Sequence, residues 1–530
     1  MGPRPLNRRE LLLSSLLAGC DVQPVELQGG WVGAHADRGH RLRGELPRAG
    51  DGPLRRANVL IVGGGVSGLA CARTLARAGV DGVALLELDD EAGGNARGHQ
   101  MAGMPCPLGA HYLPLPGPQA TEVYQLLEDF GLVRQQFGRA VYDERQLCHA
   151  PQERLFFEGQ WRDGLLPPGA NENTRAQYRR FANAVSAAQK DVGFAMPSFR
   201  AAWTASHAAL DALTFAAWLD TLTLDDPQLR WYLDYCCRDD YGATAAEVSA
   251  WAGIHYFASR HGFHPPGDEV PEREAVLTWP EGNSFLTRRM AGDLAGRIHT
   301  GRTVLRVQAQ KHQVEVLAWN EATQTPERWA SQQVVLATPL FIAARLLAEP
   351  PEALQQAAQT LRYAPWLVAN LQLKAPLLDR LGAPPAWDNV AYGSSGSLGY
   401  VDASHQRLDP SRGATVLTAY WALPRAERPA LLHTPWQTWA QRVVAELQVI
   451  HPDLPQQLQR ADLMRWGHAM SIPLPGVRGS SALAALQKGQ GRRLHFAHSD
   501  LAGYSVFEEA YTQGVRVAQS IVSRAARSGA

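Results

Sequence analysis

The chain has 530 residues, with 51 Lys plus Arg against 51 Asp plus Glu, so its formal net charge is zero. This balance excludes the basic surface that nucleic-acid binding requires, and the length predicts two consecutive or intertwined domains. The six cysteines are too few and too irregularly spaced for a disulfide scaffold or a four-ligand zinc site. We therefore expect one large α/β assembly with no metal and no nucleic-acid partner.

The first twenty residues predict an export signal. Arg8 and Arg9 precede an apolar stretch, 11–19, that is far shorter than the roughly 20 residues a membrane-spanning helix needs. The paired arginines resemble a bacterial twin-arginine signal, and Leu-Ala-Gly-Cys20 resembles a lipobox in which the cysteine thiol carries a lipid. A basic N-terminus without a targeting role is the alternative. We expect an exported protein on the periplasmic side that contacts a membrane only through a lipid on Cys20.

Residues 57–87 predict a dinucleotide-binding unit. An apolar strand at 59–62 leads into a G-x-G-x-x-G turn, a helix, and a second strand at 83–86 that ends at an acid. The glycines allow a tight turn and close approach of a pyrophosphate, the helix N-terminus offers free N–H groups, and the acid can accept hydrogen bonds from an adenosine ribose. A glycine-rich turn without a nucleotide is the alternative. The candidate contacts are Gly63, Gly65, Val66, Ser67, Gly68, Glu87 and Leu88.

Two further glycines, Gly93 and Gly94, follow the acid by six and seven residues. At this point the chain resembles the flavin-containing amine oxidoreductases, which include monoamine and polyamine oxidases and, more distantly, phytoene desaturases. In that family a Gly-Gly-Arg turn lies over the FAD pyrophosphate. Asn95 occupies the place of the arginine and Arg97 stands two residues later, so the resemblance leaves open which side chain meets the phosphates.

The segment 107–112 resembles the part of the family fold that passes beside the flavin ring. Gly109 and Ala110 are small enough for close approach, and the resemblance implies that His111 and Tyr112 face the substrate. A structural His-Tyr pair on a buried turn is the alternative. The next 150 residues show helical patterns, such as 121–130, 173–192 and 226–237, which predict a helical insertion that forms part of a substrate domain.

A paired-strand pattern at 303–308 and 313–317 and a buried strand at 333–339 resemble the unit that closes over the adenine, with Val307 as the candidate contact. A long strand is predicted from 361 to 376. Many relatives carry there a lysine that holds a water at flavin N5, and that position aligns with Val368. Lys374 is too far along the strand to replace it. This departure favours a quinone or cytochrome as the electron acceptor, with oxygen as the alternative.

The C-terminal region carries the second strong resemblance. Residues 494–500 resemble a strand end whose acid holds the ribityl or pyrophosphate part of FAD, and 508–518 matches the closing helix, whose positive end stabilises negative charge on the reduced ring. The cage tyrosine of the family aligns with Val506, so Tyr504 and Phe507 are the nearby aromatic candidates. The candidate cofactor contacts here are Ser499, Asp500, Ser505, Val506 and Phe507. Because no cysteine follows Cys237, we expect non-covalent FAD.

The resemblance implies a Rossmann-like FAD-binding domain with an interleaved α+β substrate domain, of the monoamine-oxidase type. We expect the FAD-binding domain at 55–115, 271–345 and 465–525, and the substrate domain at 116–270 and 346–464. Residues 21–54, rich in Gly, Pro and Arg, predict a tether. The implied activity is oxidation of a C–N bond of an amine, including a polyamine, by hydride transfer to flavin N5. The alternatives are a desaturase or isomerase of a lipid or polyene, and a flavin protein without substrate turnover.

Overall fold

A computed structural model describes residues 27–47, 52–169, 171–260, 262–266, 275–394, 396–407, 413–489, 491 and 493–528. The predicted export signal at 1–20, with the lipid site at Cys20, lies outside these ranges. Among the residues described, no helix combines the length and the apolar character that crossing a bilayer demands.

The strands of the described ranges are β1 (Gln28–Trp31), β2 (Leu54–Val62), β3 (Val83–Leu86), β4 (Gly98–Met101), β5 (Met104–Pro107), β6 (Tyr112–Pro114), β7 (Val133–Gln136), β8 (Arg139–Tyr142), β9 (Glu153–Phe157), β10 (Gln160–Asp163), β11 (Val276–Thr278), β12 (Ile298–His299), β13 (Arg302–Ala309), β14 (Val314–Asn320), β15 (Thr325–Leu336), β16 (Arg362–Leu373), β17 (Asp388–Ala391), β18 (Ser397–Asp402), β19 (Thr415–Ala422), β20 (Leu458–Ile472) and β21 (Leu494–Phe496). The α-helices are α1 (Ala36–His40), α2 (Val66–Arg77), α3 (Thr121–Asp129), α4 (Glu172–Asp191), α5 (Ala205–Asp211), α6 (Phe215–Thr221), α7 (Pro227–Tyr241), α8 (Ala250–Ala258), α9 (Ser284–Gly292), α10 (Leu340–Leu346), α11 (Glu352–Thr360), α12 (Arg428–His433), α13 (Trp436–Gln448), α14 (Leu454–Gln457), α15 (Ser481–Gln487) and α16 (Phe507–Ser528).

The first large sheet confirms the predicted dinucleotide unit. Its strand order is β12-β3-β2-β15-β14-β13, and β21 also pairs with β15. β2, β3, β15 and β21 run parallel, and the residues of β3 and the end of β2 are buried. This burial is typical of a parallel sheet covered on both faces. The glycine turn therefore stands at the carboxyl end of β2, where nucleotides bind in such sheets.

The second large sheet forms the predicted substrate domain. Its order is β1-β20-β16-β19-β18-β17-β9-β10, so strands from four separate parts of the chain combine in it. The long strands β16 and β20 pair antiparallel along nearly their whole length. Helices α4, α6, α7 and α8 pack against one face in the largest apolar cluster. The interleaved α/β architecture expected from the sequence is thus the observed one.

Two of the predicted boundaries are wrong. The boundary at 464/465 falls inside β20, all of which belongs to the substrate sheet. The predicted tether, 21–54, is part of the body from Gln28 onward, because β1 pairs in parallel with Arg460–Leu463 of β20. Short strands and turns rich in glycine carry little periodicity, which is why this segment resembles a linker in sequence.

The helices α2 and α16 approach each other closely at Gly514. A Cβ atom at this position would lie 2.2 Å from the carbonyl oxygen of Ser67, which no side chain tolerates. The hydroxyl of Ser67 also donates a hydrogen bond to the carbonyl of Ala510. This contact holds the N-terminal ends of both helices beside the same cavity.

Candidate active site

A single continuous cavity is lined by residues of both domains. Seventeen of the predicted site residues line it, and five lie outside its lining.

 The predicted residues that line the cavity are Gly63, Gly65, Val66, Ser67, Glu87, Leu88, Gly94, Asn95, Gly109, Ala110, His111, Tyr112, Ser499, Asp500, Ser505, Val506 and Phe507. The predicted residues that stand outside its lining are Gly68, Gly93, Arg97, Val307 and Tyr504.

Two of the glycines shape the turn from behind. A Cβ atom on Gly68 would lie 1.9 Å from the carbonyl oxygen of Gly63, so this glycine allows helix α2 to follow its strand directly. Gly93 has φ +136° and donates its N–H to the carbonyl of Gly64 at 2.7 Å. Both positions therefore support the phosphate-binding turn without facing the cavity.

Asn95 and Arg97 take different positions relative to the cavity. Asn95 lines the cavity and donates its side-chain N–H to the carbonyl of Ala469. The guanidinium of Arg97 is buried, lies 3.1 Å from the carboxylate of Asp89, and sits over the ring of Trp466. Asn95 is therefore the residue at the cavity wall, and Arg97 fastens the loop behind it.

Val307, the predicted adenine contact, lies outside the cavity lining. Val307 is fully buried, pairs with Val316, and belongs to an apolar cluster of the FAD-binding domain. Val304 lines the cavity instead, together with Arg302 and Thr303. The pairing of β13 with β14 shifts register between positions 304 and 306, and such a bulge breaks the alternation on which a sequence-based choice relies.

The carboxylate of Glu87 is held firmly at the cavity wall. One oxygen accepts the N–H of Gly64 at 2.6 Å, and the other accepts the N–H of Asp89 at 2.9 Å. Burial raises the pKa of Glu87 above its ordinary value. Each carboxylate oxygen retains a second lone pair, so Glu87 can still accept hydrogen bonds from ribose hydroxyls.

Asp500 keeps an oxygen available at the same cavity. Its Oδ2 accepts hydrogen bonds from the hydroxyl of Tyr363 at 2.6 Å and the N–H of Leu340 at 2.9 Å. Its Oδ1 lies 3.2 Å from Nδ1 of His498 and has no hydrogen-bond partner among the described residues. Burial opposes ionisation, but the charge of His498 and these hydrogen bonds lower the pKa of Asp500. A buried acceptor in this state indicates a polar ligand in the cavity.

The segment 107–112 is anchored through every one of its carbonyl groups. Three donors come from the substrate sheet and three from the segment 278–283 of the FAD-binding domain. The pairs are Asn370 to Pro107 (3.0 Å), Trp466 to Leu108 (2.7 Å), Tyr420 to Gly109 (3.1 Å), the Asn283 N–H to Ala110 (3.0 Å), Thr278 to His111 (2.8 Å) and the Asn283 side chain to Tyr112 (2.9 Å). The backbone beside the cavity is therefore fixed by both domains at once.

Aromatic rings form the wall beyond this segment. His111 stacks on Tyr420 with ring centroids 4.4 Å apart, and Tyr112 contacts His111 edge-on at 5.0 Å. Burial lowers the pKa of His111 to about 3, so its imidazole is neutral at physiological pH. Trp366 and Trp466 line the same cavity. The wall can enclose an apolar or neutral group and offers no charged base on this side.

Tyr504 does not belong to this wall. Its ring is fully buried, donates its hydroxyl to Glu509 at 2.7 Å, and packs against Tyr241, Trp251 and His255. Trp251 and His255 stack on each other, and Trp251 belongs to the largest apolar cluster. Phe507 does line the cavity, although its ring also stacks on Tyr511.

Several cavity residues had no distinct signal in the sequence. Tyr420 lies in β19, and its hydrogen bond to the carbonyl of Gly109 places it beside the cavity. Asp239 and Arg260 lie in the helical region of the substrate domain and line the same cavity. Their side chains meet the cofactor domain only through the tertiary fold, so neither spacing nor periodicity could have identified them.

These features fit a bound flavin dinucleotide. The close approach of Gly65 to Gly94 leaves a cradle without side chains, and the unpartnered oxygen of Asp500 supplies a polar contact. The cavity then continues to the aromatic wall beside 107–112. No cysteine is among the residues that line it, so the described wall offers no thiol for a covalent bond to the ring.

The model of one protein family, described as flavin containing amine oxidoreductase, matches residues 66–522. The chain belongs to this family. As a flavin containing amine oxidoreductase it is an FAD-dependent enzyme that oxidises amines.

Comparison with individual proteins agrees with this family. An L-amino acid dehydrogenase of Synechocystis sp. is 23% identical over 498 residues, which are 89% of this chain and 96% of that protein. A peroxisomal N(1)-acetyl-spermine/spermidine oxidase of Bos taurus is 35% identical over 101 residues, 19% of each chain. The solved structures similar to this flavin containing amine oxidoreductase share its fold. Cyclohexylamine oxidase from Brevibacterium oxydans IH-35A has a TM-score of 0.66 and 19% identity, with 88% of this chain and 99% of that chain covered. A fatty acid isomerase from P. acnes has a TM-score of 0.60 and 13% identity, with 88% and 98% covered.

The role of Glu87 can be tested with Glu87→Gln. An amide nitrogen cannot accept the N–H of Gly64 or Asp89, and one acceptor for ribose is lost, so we expect FAD to bind about 10- to 100-fold more weakly. The measurement is a fluorescence titration of FAD into the deflavinated full chain. Glu91→Gln, on an exposed position of the same loop, should retain wild-type affinity. Equal affinity of the two variants would contradict the assignment.

Proposed function

We propose that this enzyme oxidises a di- or polyamine, whose distal ammonium group binds the carboxylate of Asp239. The observation that carries this proposal is the position of Asp239, which lines the cavity and accepts a hydrogen bond from Tyr112 at 3.2 Å. Burial, together with the charge of Asp240, raises the pKa of Asp239 to about 6. The carboxylate is therefore ionised at neutral pH and needs a counter-ion.

The neighbouring charges favour a cation. Asp239, Asp240 and Glu508 line this part of the cavity with one guanidinium, that of Arg260. Arg260 already lies 3.0 Å from Asp240, so it is committed to that partner. A buried negative charge without a partner is costly, and a substrate ammonium would relieve the cost.

The reacting amine would lie against the aromatic wall. The neutral His111, Tyr420 and Trp466 disfavour a charged amine there, which promotes the deprotonated form that gives up a hydride. Bound FAD supplies the hydride acceptor at N5. The protein itself orients the substrate between Asp239 and the segment 107–112 and excludes water.

A second candidate substrate is an amino acid. Arg260 lines the cavity, and its Nε has no hydrogen-bond partner among the described residues. A substrate carboxylate could bind there, as a guanidinium commonly binds carboxylates. The two proposals differ in the charged residue that binds the substrate: Asp239 for a di- or polyamine, and Arg260 for an amino acid.

Anaerobic mixing of the holoenzyme with a panel of compounds separates these possibilities. We expect di- and polyamines to bleach the visible flavin band. Bleaching by amino acids alone would replace the proposal with the Arg260 alternative. No bleaching by either class, with turnover of an unsaturated fatty acid or polyene, would favour an isomerase or desaturase. A flavin that no compound reduces would indicate a flavin protein without turnover.

Asp239→Asn tests the distal contact directly. Loss of the charge should lower kcat/KM for putrescine about 10- to 100-fold, mainly through KM, and should leave n-butylamine nearly unaffected because it has no distal ammonium. As pH falls through about 6 the wild-type carboxylate gains a proton, so the KM for putrescine should rise, whereas the variant should show no such step. Asp220→Asn, on an exposed helix position, is the control. An unchanged preference for putrescine in the Asn variant would refute the contact.

We also propose that a quinone or cytochrome, rather than oxygen, reoxidises the flavin. Val368 lines the cavity at the position that aligns with the water-holding lysine of oxidases, and Lys374 lies outside the lining on an exposed position past the end of β16. The side of the cavity at Val368 is therefore apolar, which offers no positive charge to stabilise a developing superoxide anion.

Val368→Lys tests this acceptor proposal. We expect the reduced variant to react with oxygen about tenfold faster than wild type, since a buried cation stabilises the developing negative charge. Stopped-flow mixing of the reduced enzyme with oxygenated buffer measures the rate, and Val368→Met controls for the added volume. Wild-type release of hydrogen peroxide at the full rate of amine turnover would contradict the proposal.

We propose further that residues 1–20 direct twin-arginine export and that Cys20 is lipidated, which anchors the protein on the periplasmic side. The support is the sequence of the paired arginines and of the lipobox. In a bacterial host, R8K/R9K should retain the protein in the cytoplasm, and Cys20→Ala should move it from the membrane fraction to the periplasmic fraction. Arg4→Lys, outside the pair, is the control. Export of R8K/R9K at the wild-type level would exclude this route.

A further inference from the structure

The N-terminal segment 28–43 crosses from the substrate domain to the FAD-binding domain. β1 pairs with β20, and the N–H of Val32 continues this pairing by donating to the carbonyl of Leu463 at 2.8 Å. At Gly33 the backbone has φ +90° and a Cβ atom would lie 2.4 Å from Sδ of Met464. A glycine at this point lets the chain pass closely over β20 and turn toward the FAD-binding domain.

The next residues are fastened to the loop that follows Glu87. The N–H of His35 donates to Asp89 at 2.9 Å. The guanidinium of Arg38 donates to the carbonyl of Leu88 at 3.0 Å and to the carboxylate of Asp90 at 2.8 Å. These contacts join the segment to the loop that carries the predicted ribose acceptor.

A second set of contacts joins the segment to the β13–β14 unit. Arg41 is 3.0 Å from the carboxylate of Glu321, and its guanidinium sits over the ring of Trp319 at 5.0 Å. Leu42 packs against the apolar cluster that contains Val304. The segment is thus held at two points, one on the Glu87 loop and one on the β13–β14 unit.

Beside these two points the segment lines the cofactor cavity. Gly39 and Leu42 belong to the same lining as Glu87, Leu88 and Val304. Those last three residues mark the predicted adenosine end, since Glu87 is the predicted ribose acceptor and Val304 lies on the unit predicted to close over the adenine. We propose that residues 35–43 form a strap that covers the adenosine half of FAD and holds the cofactor in the enzyme.

The strap should affect the rate of FAD release whatever the substrate is. Arg38 ties the strap to the Glu87 loop, and Arg41 ties it to the β13–β14 unit. Because both pairs are partly exposed, salt and charge-removing substitutions weaken them. Loosening the strap should speed release of FAD and leave the half of the site that holds the flavin ring intact.

The first experiment compares two double variants of the holoenzyme. R38Q/R41Q removes both ion pairs of the strap. R175Q/R179Q is the matched control, because it removes two exposed ion pairs to Glu172 on a substrate-domain helix. We expect the strap variant to release FAD about tenfold faster than wild type on dilution, followed by the rise in free flavin fluorescence, and the control to release it at the wild-type rate. Release at the wild-type rate from R38Q/R41Q would overturn the proposal.

The second experiment needs no substitution and separates a strap from general loosening of the fold. Hydrogen exchange by mass spectrometry is measured on the deflavinated full chain, with and without ADP, which carries the adenosine half of FAD alone. We expect ADP to slow exchange in peptides covering 35–43, and FMN, which lacks adenosine, to leave them unchanged. Equal exchange in these peptides with and without ADP would overturn the strap even if R38Q/R41Q releases FAD quickly.

Discussion

The fixed backbone of residues 107–112 is the constraint on which the two-domain arrangement depends. Its six carbonyls take hydrogen bonds from Asn370, Tyr420 and Trp466 of the substrate sheet and from Thr278 and Asn283 of the FAD-binding domain. A buried carbonyl without a partner costs about 1–3 kcal/mol. Separating the domains would therefore leave several of these carbonyls without their hydrogen-bond donors at the same time. The segment beside the flavin therefore has its position set by both sheets, which is what precise placement of a substrate next to a cofactor requires.

The polar groups of the cavity are distributed unevenly between its two ends. Glu87 and Asp500 have their carboxylates held by backbone N–H groups at the cofactor end, whereas the wall around His111 is aromatic and uncharged. Further along the cavity, Asp239 and its neighbours in the substrate domain are again charged side chains. Such a distribution suits hydride transfer from a neutral amine, a reaction that needs little acid–base machinery but depends on exclusion of water.

Local motifs in the sequence predicted the cofactor half of the site well. The glycine turn, Glu87, the strand end at Asp500 and the closing helix are each defined by residues close together in the chain, and all of them reach the cavity. Three predicted residues lie outside the cavity lining, and distant partners set the position of each. Val307 follows a bulge in the pairing of β13 with β14, Tyr504 donates its hydroxyl to Glu509, and Arg97 pairs with Asp89. Asp239 could not be found at all, because its significance comes from the domain packed against it.

The order of the chain in the cavity constrains when the cofactor can be bound. Gly39 of the strap, the turn at Gly63 and Ala510 of the closing helix all contribute to one wall, although they are separated by most of the sequence. The complete site therefore exists only after the last helix has been synthesised and packed against α2 through Gly514. FAD binding must then follow synthesis of the whole chain. Under the proposed export by a route for folded proteins, the cofactor is bound on the cytoplasmic side and the strap would retain it where free FAD is scarce.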